Sequence, residues 1–213
     1  MEVNKDFIRI FLKEGMRQVY SRNEKGSAGL ITIIAIIAVI VIGAMIVVPK
    51  YNSLVTGEET VDAAWAQVEN QLQRRFDLVP NLVNTVKGYA KQEEEIFTQI
   101  ANARTQYGNA NTVGEAAEAN NDLSSALSRL LVVIENYPTL KSDVQFTRLM
   151  DELAGTENRL AVARKDYNDT VQQFNNTVRR FPGNLIAGMF SFDQKDYFEI
   201  KEGVEEAPAV DFD

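Results

Sequence analysis

The chain has 213 residues with 22 Lys+Arg against 30 Asp+Glu, a net charge of −8, and it contains neither Cys nor His. Those two absences exclude disulfides, thiolate nucleophiles, Cys- or His-ligated metal sites, His-containing catalytic triads and an imidazole switch near neutral pH. The acidic balance argues against nucleic acid as a partner, and no glycine-rich phosphate loop or other motif calls for a cofactor.

Residues 1–28 form a basic N-terminal segment with six Lys/Arg, among them Lys5, Arg9, Lys13 and Arg17 at steps of four. Ile8, Phe11, Leu12, Gly15 and Val19 fall on another side at helical spacing. Two readings stay open: a basic amphipathic helix lying in the lipid headgroup region, or a short disordered tail.

Residues 29–48, GLITIIAIIAVIVIGAMIVV, carry no charge, and Thr32 is the only hydroxyl among them. Twenty helical residues span ~30 Å, the thickness of a bilayer's hydrocarbon core. The run is longer than a signal-peptide core, begins after 28 residues, and ends in Val47-Val48-Pro49-Lys50 rather than at a small-residue cleavage site. A single transmembrane helix is predicted. Six basic residues precede it, whereas the twenty residues after Val48 hold only Lys50. The positive-inside rule then places the N-terminus in the cytoplasm and the rest of the chain outside it.

Beyond residue 50 the periodicity is helical. A first stripe runs from about Tyr51 to Tyr107 through Val61, Trp65, Val68, Leu72, Val79, Val83, Val86, Ala90, Ile96 and Ile100. Pro80 interrupts it, which predicts a bent but continuous helix. The segment Tyr107–Gly114 holds two Gly and two Asn and reads as a turn. A second helix is expected from about Glu115 to Asn136, and a third from about Thr139 to Phe181, ended by Phe181-Pro182-Gly183-Asn184. The tail, 182–213, is apolar and aromatic before it turns acidic. It is expected to dock on the bundle, with a short helix near Leu185–Met189 and a disordered acidic end. The fold class is therefore all-α: one N-terminal transmembrane helix, then a long antiparallel bundle of three main helices over 49–181.

At this point the residues resemble the LemA family of membrane-anchored bacterial proteins. The matching stretches include Tyr51-Asn52-Ser53-Leu54-Val55, Ala63-Ala64-Trp65-Ala66-Gln67-Val68-Glu69 and Arg74-Arg75-Phe76-Asp77-Leu78-Val79-Pro80-Asn81-Leu82-Val83. They continue with Val86-Lys87-Gly88-Tyr89-Ala90, Glu135-Asn136-Tyr137-Pro138, Thr156-Glu157-Asn158-Arg159, Ala163-Arg164-Lys165-Asp166-Tyr167-Asn168, Phe181-Pro182-Gly183-Asn184 and Tyr197-Phe198-Glu199. The resemblance covers the apolar helix and nearly all of 49–198. It implies a helical bundle on one membrane helix in the bacterial cytoplasmic membrane and no established enzymatic activity. Some relatives are associated with membrane organisation. The extension at residues 1–28 departs from the family's pattern.

Among the polar motifs, Arg74, Arg75 and Asp77 precede Pro80, while Glu157 and Arg159 lie in the third helix. The two groups are expected to form a structural ion-pair network, with Arg75 and Glu157 as the natural couple. Asp77 with Glu157 is the one carboxylate pair worth testing for acid/base work. Asn168-Asp169-Thr170 and Asn175-Asn176-Thr177 match glycosylation sequons and read as accidental.

Helix lengths of roughly 85, 33 and 65 Å leave the stripe Val61, Trp65, Val68 and Leu72 without an intramolecular partner. A homo-oligomer contact is expected there. The sequence thus points to a membrane-tethered scaffold that contacts lipid and self-associates. The alternative is an adaptor for a membrane protease, a channel or another envelope partner. A carboxylate hydrolase ranks last.

Overall fold

The computed structural model describes the backbone of residues 5–90 and 92–199, and side chains from residue 30 onward. The side-chain pattern expected for 1–28 and the acidic end beyond 199 lie outside the described residues. Every regular element among them is helical: α1 (Lys5–Lys87), α2 (Glu94–Asn109), α3 (Val113–Ile134), the short α4 (Pro138–Lys141), α5 (Val144–Arg179) and α6 (Gly183–Phe190). The chain divides into two compact units, Met1–Asn52 and Ser53–Asp213, and α1 runs through the boundary.

In the first unit, thirteen large apolar residues from Leu30 to Val48, all but Val47, are between 45% and 70% exposed. None of the residues of this run is buried. Among the described residues it is the one helix long and apolar enough to cross a membrane.

In the second unit the bundle is antiparallel, but it has four long helices where the sequence suggested three. α1 continues through Pro80, as expected, and stops at Lys87 instead of reaching Tyr107. Gly88 follows, and the Tyr89 and Ala90 amides both donate to the Val86 carbonyl, closing the helix end. The chain then reverses. α2 returns along α1, so the Phe97 ring lies 5.2 Å under the Lys87 ammonium and Tyr107 stacks on Phe76 at 4.3 Å between ring centroids. Thr112 starts α3 with a capping box: its hydroxyl accepts from the Glu115 amide, and the Glu115 carboxylate accepts from the Thr112 amide. α3 runs antiparallel to α2, with Arg129 beside Glu95 and Gln99. Asp143 then caps α5, accepting from the amides of Gln145 and Phe146, and the Phe146 amide, then the Tyr89 hydroxyl, hold its carboxyl below the usual range.

The extra reversal changes the direction of everything after it. α5 runs back down α1 rather than away from it. Arg159 reaches Gln71 at 3.3 Å, the Tyr167 ring lies 5.4 Å from Trp65, and Phe174 sits against Gly57, where an added Cβ would come within 3.0 Å of its ring. This corrects the expectation of a bare stripe: Val61, Val68 and Leu72 are buried and Trp65 is half-buried, all beneath α5 and the tail. Of the four residues expected at a contact between copies, only Trp65 keeps an accessible face.

α6 lies on α5 with Ile186 and Ala187 inward. Gly183 approaches so closely that a Cβ there would stand 2.2 Å from the Thr177 carbonyl oxygen. Ser191, at φ 60°, ends α6 in the left-handed region, and residues 192–199 run back extended along α5.

Candidate functional site

Two features of the second unit bear on function, a buried ion cluster and an aromatic cleft beside it. Arg75 projects from α1 into the centre of the bundle and is 5% exposed. Its guanidinium lies 3.0 Å from the Glu157 carboxylate of α5 and donates to the Asn120 side-chain oxygen of α3. Arg164, one to two turns along α5, donates to the other Glu157 oxygen at 3.3 Å. The cluster thus holds two guanidinium groups on one carboxylate. Burial lowers the Arg75 pKa most strongly, Glu157 raises it, and Arg164 lowers it again.

The expected couple of Arg75 and Glu157 is therefore brought together. Arg159 stands at the edge, bridging Gln71 and Thr156. Arg74 and Asp77 are exposed and take no part: Asp77 accepts from Gln73 at 3.4 Å and faces Tyr107 instead. The pairing of Asp77 with Glu157 is not formed. Sequence reasoning missed Asn120 and Arg164. Asn120 lies among small residues on α3 and is fully buried, a placement for which its neighbours give no signal. Arg164 lies seven residues after Glu157, a spacing of two helical turns that could have marked it.

The cleft has a volume of about 540 Å³. Trp65, Tyr107 and Tyr167 line it together with the carboxylates of Asp62, Glu69 and Asp196. Lys195 also lines it, but its ammonium is held by Glu58 at 2.5 Å. The local field is negative at both tyrosines. Burial first, then Asp196 and Asp62, pushes the Tyr167 hydroxyl up to about 12. Burial, then Glu69 and Asp77, raises that of Tyr107. A space walled by ring faces and carboxylates suits a cationic group.

The tail closes this side of the bundle. Asn175 donates to the Lys195 carbonyl (2.9 Å) and accepts from its amide (2.8 Å). Asn168 treats Phe198 in the same way, at 3.1 and 2.9 Å. Seven helical residues rise ~10.5 Å and three extended residues advance ~10 Å, so two asparagines seven apart meet two tail residues three apart. The Tyr167 hydroxyl donates to the Asp196 carbonyl at 2.8 Å. The asparagines that matched sequons therefore hold the tail.

An antiparallel helical bundle with an ion cluster at its centre, together with one exposed apolar helix long enough to cross a membrane, defines an all-helical protein. The chain belongs to the LemA family, whose profile matches residues 64–212. It is 28% identical over 203 residues to the magnetosome protein MamQ 2 of Paramagnetospirillum magneticum, covering 83% of this chain and 74% of that one. To the magnetosome protein MamQ of Magnetospirillum gryphiswaldense it is 26% identical over 178 residues, 71% of this chain and 65% of the relative. To the protein LemA of Metamycoplasma hominis it is 21% identical over 156 residues, 73% and 71%.

Proposed function

We propose that this protein is a membrane-anchored helical scaffold of the bacterial envelope that organises membrane or membrane-protein assemblies. The observation that carries the reading is the helix 30–48, uncharged and with none of its residues buried, which only lipid or another apolar helix can cover. Kinship with proteins named for the magnetosome supports a role at membranes. The anchor sits in the cytoplasmic membrane, with the N-terminus inside and the bundle outside. Self-association then proceeds through the anchor, since the stripe at 61–72 is taken up within the chain.

The chain has no native Cys, so single cysteines report cleanly. Ser27→Cys and Ser142→Cys variants, treated in intact cells with an impermeant maleimide, should label at position 142 and not at 27. The reverse pattern would overturn the topology. Disulfide crosslinking of an Ile40→Cys variant in membranes should yield dimers. Monomers alone at all positions along the helix would remove self-association.

A second reading, an adaptor for an envelope protein, is favoured by the cleft. A Lys or Arg side chain of a partner fits its aromatic and carboxylate lining. Trp65 is the only tryptophan, so its fluorescence should change on titration with an oligolysine peptide and stop responding in an Asp62→Asn/Glu69→Gln variant. An unchanged response in that variant would remove the adaptor reading.

A further inference from the structure

α6 reads Gly-Asn-Leu-Ile-Ala-Gly-Met-Phe, without a charge. Its inner face is spent on α5 through Ile186 and Ala187. On the outside, Leu185 is 61% and Met189 71% exposed, one helical turn apart, and Phe181 just before the helix is 80% exposed. Helices in water usually carry several polar residues on the outer face, and this one has only Asn184 there. Arg179 and Arg180, both exposed, flank this apolar surface.

Its place in the bundle follows from the register of α1 and α5. Arg159 meets Gln71, Tyr167 meets Trp65 and Phe174 meets Gly57. Five further residues bring Arg179 level with the first residues of the unit, near Ser53. The Phe181–Met189 surface therefore caps the end of the bundle from which the chain passes to the apolar helix. Only five residue steps separate Ser53 from Val48, the end of that run. Even fully extended they reach no more than ~18 Å. The first residue of the bundle is therefore tethered within that distance of the end of the apolar run.

We propose that this surface docks into the interfacial region of the bilayer. Phe181, Leu185 and Met189 enter between the headgroups, and Arg179 and Arg180 pair with lipid phosphates. The inference rests on the membrane-anchored reading. The tether raises the local concentration of lipid around the patch, so weak insertion suffices. Basic residues beside an apolar face are the combination that binds anionic interfaces. The chain's net charge of −8 makes the rest of the bundle poorly suited to such a surface, which confines the contact to this end.

The test uses the full chain reconstituted in phosphatidylethanolamine–phosphatidylglycerol vesicles. An environment-sensitive fluorophore is placed singly through Ile40→Cys, Leu185→Cys, Met189→Cys or Ser142→Cys, and lipids spin-labelled at a shallow acyl position act as quenchers. Quenching is expected at 40, 185 and 189, roughly halving the signal at the last two, and not at 142. Arg179→Glu/Arg180→Glu should weaken quenching at 185 and 189 while leaving that at 40, with circular dichroism confirming an unchanged fold. Quenching at 40 but not at 185 and 189 would overturn the docking surface alone, and so would equal quenching at 142. A blue shift at 185 without lipid quenching would assign the patch to a protein contact and also overturn it. Loss of quenching at 40 would instead remove the membrane anchor itself.

Discussion

The two halves of the bundle solve the same problem differently. From about Phe76 to Lys87, α1 is surrounded by α2, α3 and α5. Its core is side chain against side chain: Phe76, Val79, Leu82 and Val86 with Ile96, Ile100, Leu123, Leu130 and Ile134. Towards Ser53, α5 and the extended tail accompany α1, and only the turn after α2 and the first turn of α3 reach the stretch Val61–Leu72. The groove left between the helices is filled by the tail with Phe198, which is 2% exposed. A helix satisfies its own backbone before it packs, whereas an extended segment brings bare amides and carbonyls into the interface. Asn168 and Asn175 answer those groups. An extended strap can therefore replace a third helix where the underlying helix offers amide side chains at a two-turn spacing.

The sharpest way to break this comparison is Phe198→Ala. The ring packs 6.3 Å from Trp65, with the Arg164 guanidinium 5.7 Å from its centre. Its loss should cost ~3–4 kcal/mol in denaturant unfolding. Hydrogen exchange should quicken in 53–73 and 160–179 while the α2–α3 half stays protected. Uniform loss of protection would show that the two halves are one cooperative unit.

Glu157→Gln tests the junction between the halves. It leaves Arg75 and Arg164 facing each other without a counter-charge. Because the Glu157 side chain is 38% exposed, water offsets part of the penalty, and a loss of ~2–3 kcal/mol is expected, below that of a fully buried pair. The Arg75→Met/Glu157→Leu double variant should recover most of it. No recovery would mean that the cluster does more than set helix register.

Asn168→Ala and Asn175→Ala each remove one amide–backbone pair of hydrogen bonds from the strap, at ~1–2 kcal/mol apiece. Fluorescence of Trp65 should shift red as the tail loosens. Tyr167 gives a subtler view of the same contact. Its hydroxyl is raised from 10.0 to about 12, so the folded state holds that proton more tightly than the unfolded chain. The stabilisation is complete below pH 10 and is lost as pH rises towards 12. Absorbance of tyrosinate should show one late-titrating residue, absent in Tyr167→Phe. Absence of a step near pH 12 that is lost in Tyr167→Phe would remove the strap's hold on this side chain.

What could be read in the sequence follows the strength of local signals. The apolar helix, the helical class, the turn at Tyr107–Gly114, the short helix after Pro182 and the couple of Arg75 with Glu157 all rest on period, turn chemistry or charge. The reversal at Gly88–Glu93 did not show, because Ala90 keeps the apolar spacing through the turn and is buried there at 1% exposure. A single glycine within an unbroken stripe reads as a tolerated helix residue. That one omission inverted the direction of each later helix and so left the stripe at 61–72 bare. The strap was illegible for a different reason: its partners, Asn168 and Asn175, are defined by backbone groups of a distant segment and carry no periodic signature of their own.

The smallest effect is expected where the sequence looked most disruptive. Pro80 lies inside α1, and the helix passes through it to Lys87. The proline removes one amide donor and crowds the Phe76 carbonyl one turn back, but Phe76 is fixed by its stack on Tyr107, and the chain around it has accommodated the ring. Pro80→Ala restores that hydrogen bond while giving up some ring packing at a partly buried position, so the two changes oppose each other and stability should move by less than ~1 kcal/mol. Helicity by circular dichroism should stay equal or rise. The direction of α2 is set by the turn at Gly88, not by Pro80, so the distance between spin labels on α1 and α2 should not change. A lengthened distance, or a fall in helicity, would mean that Pro80 helps to make the reversal.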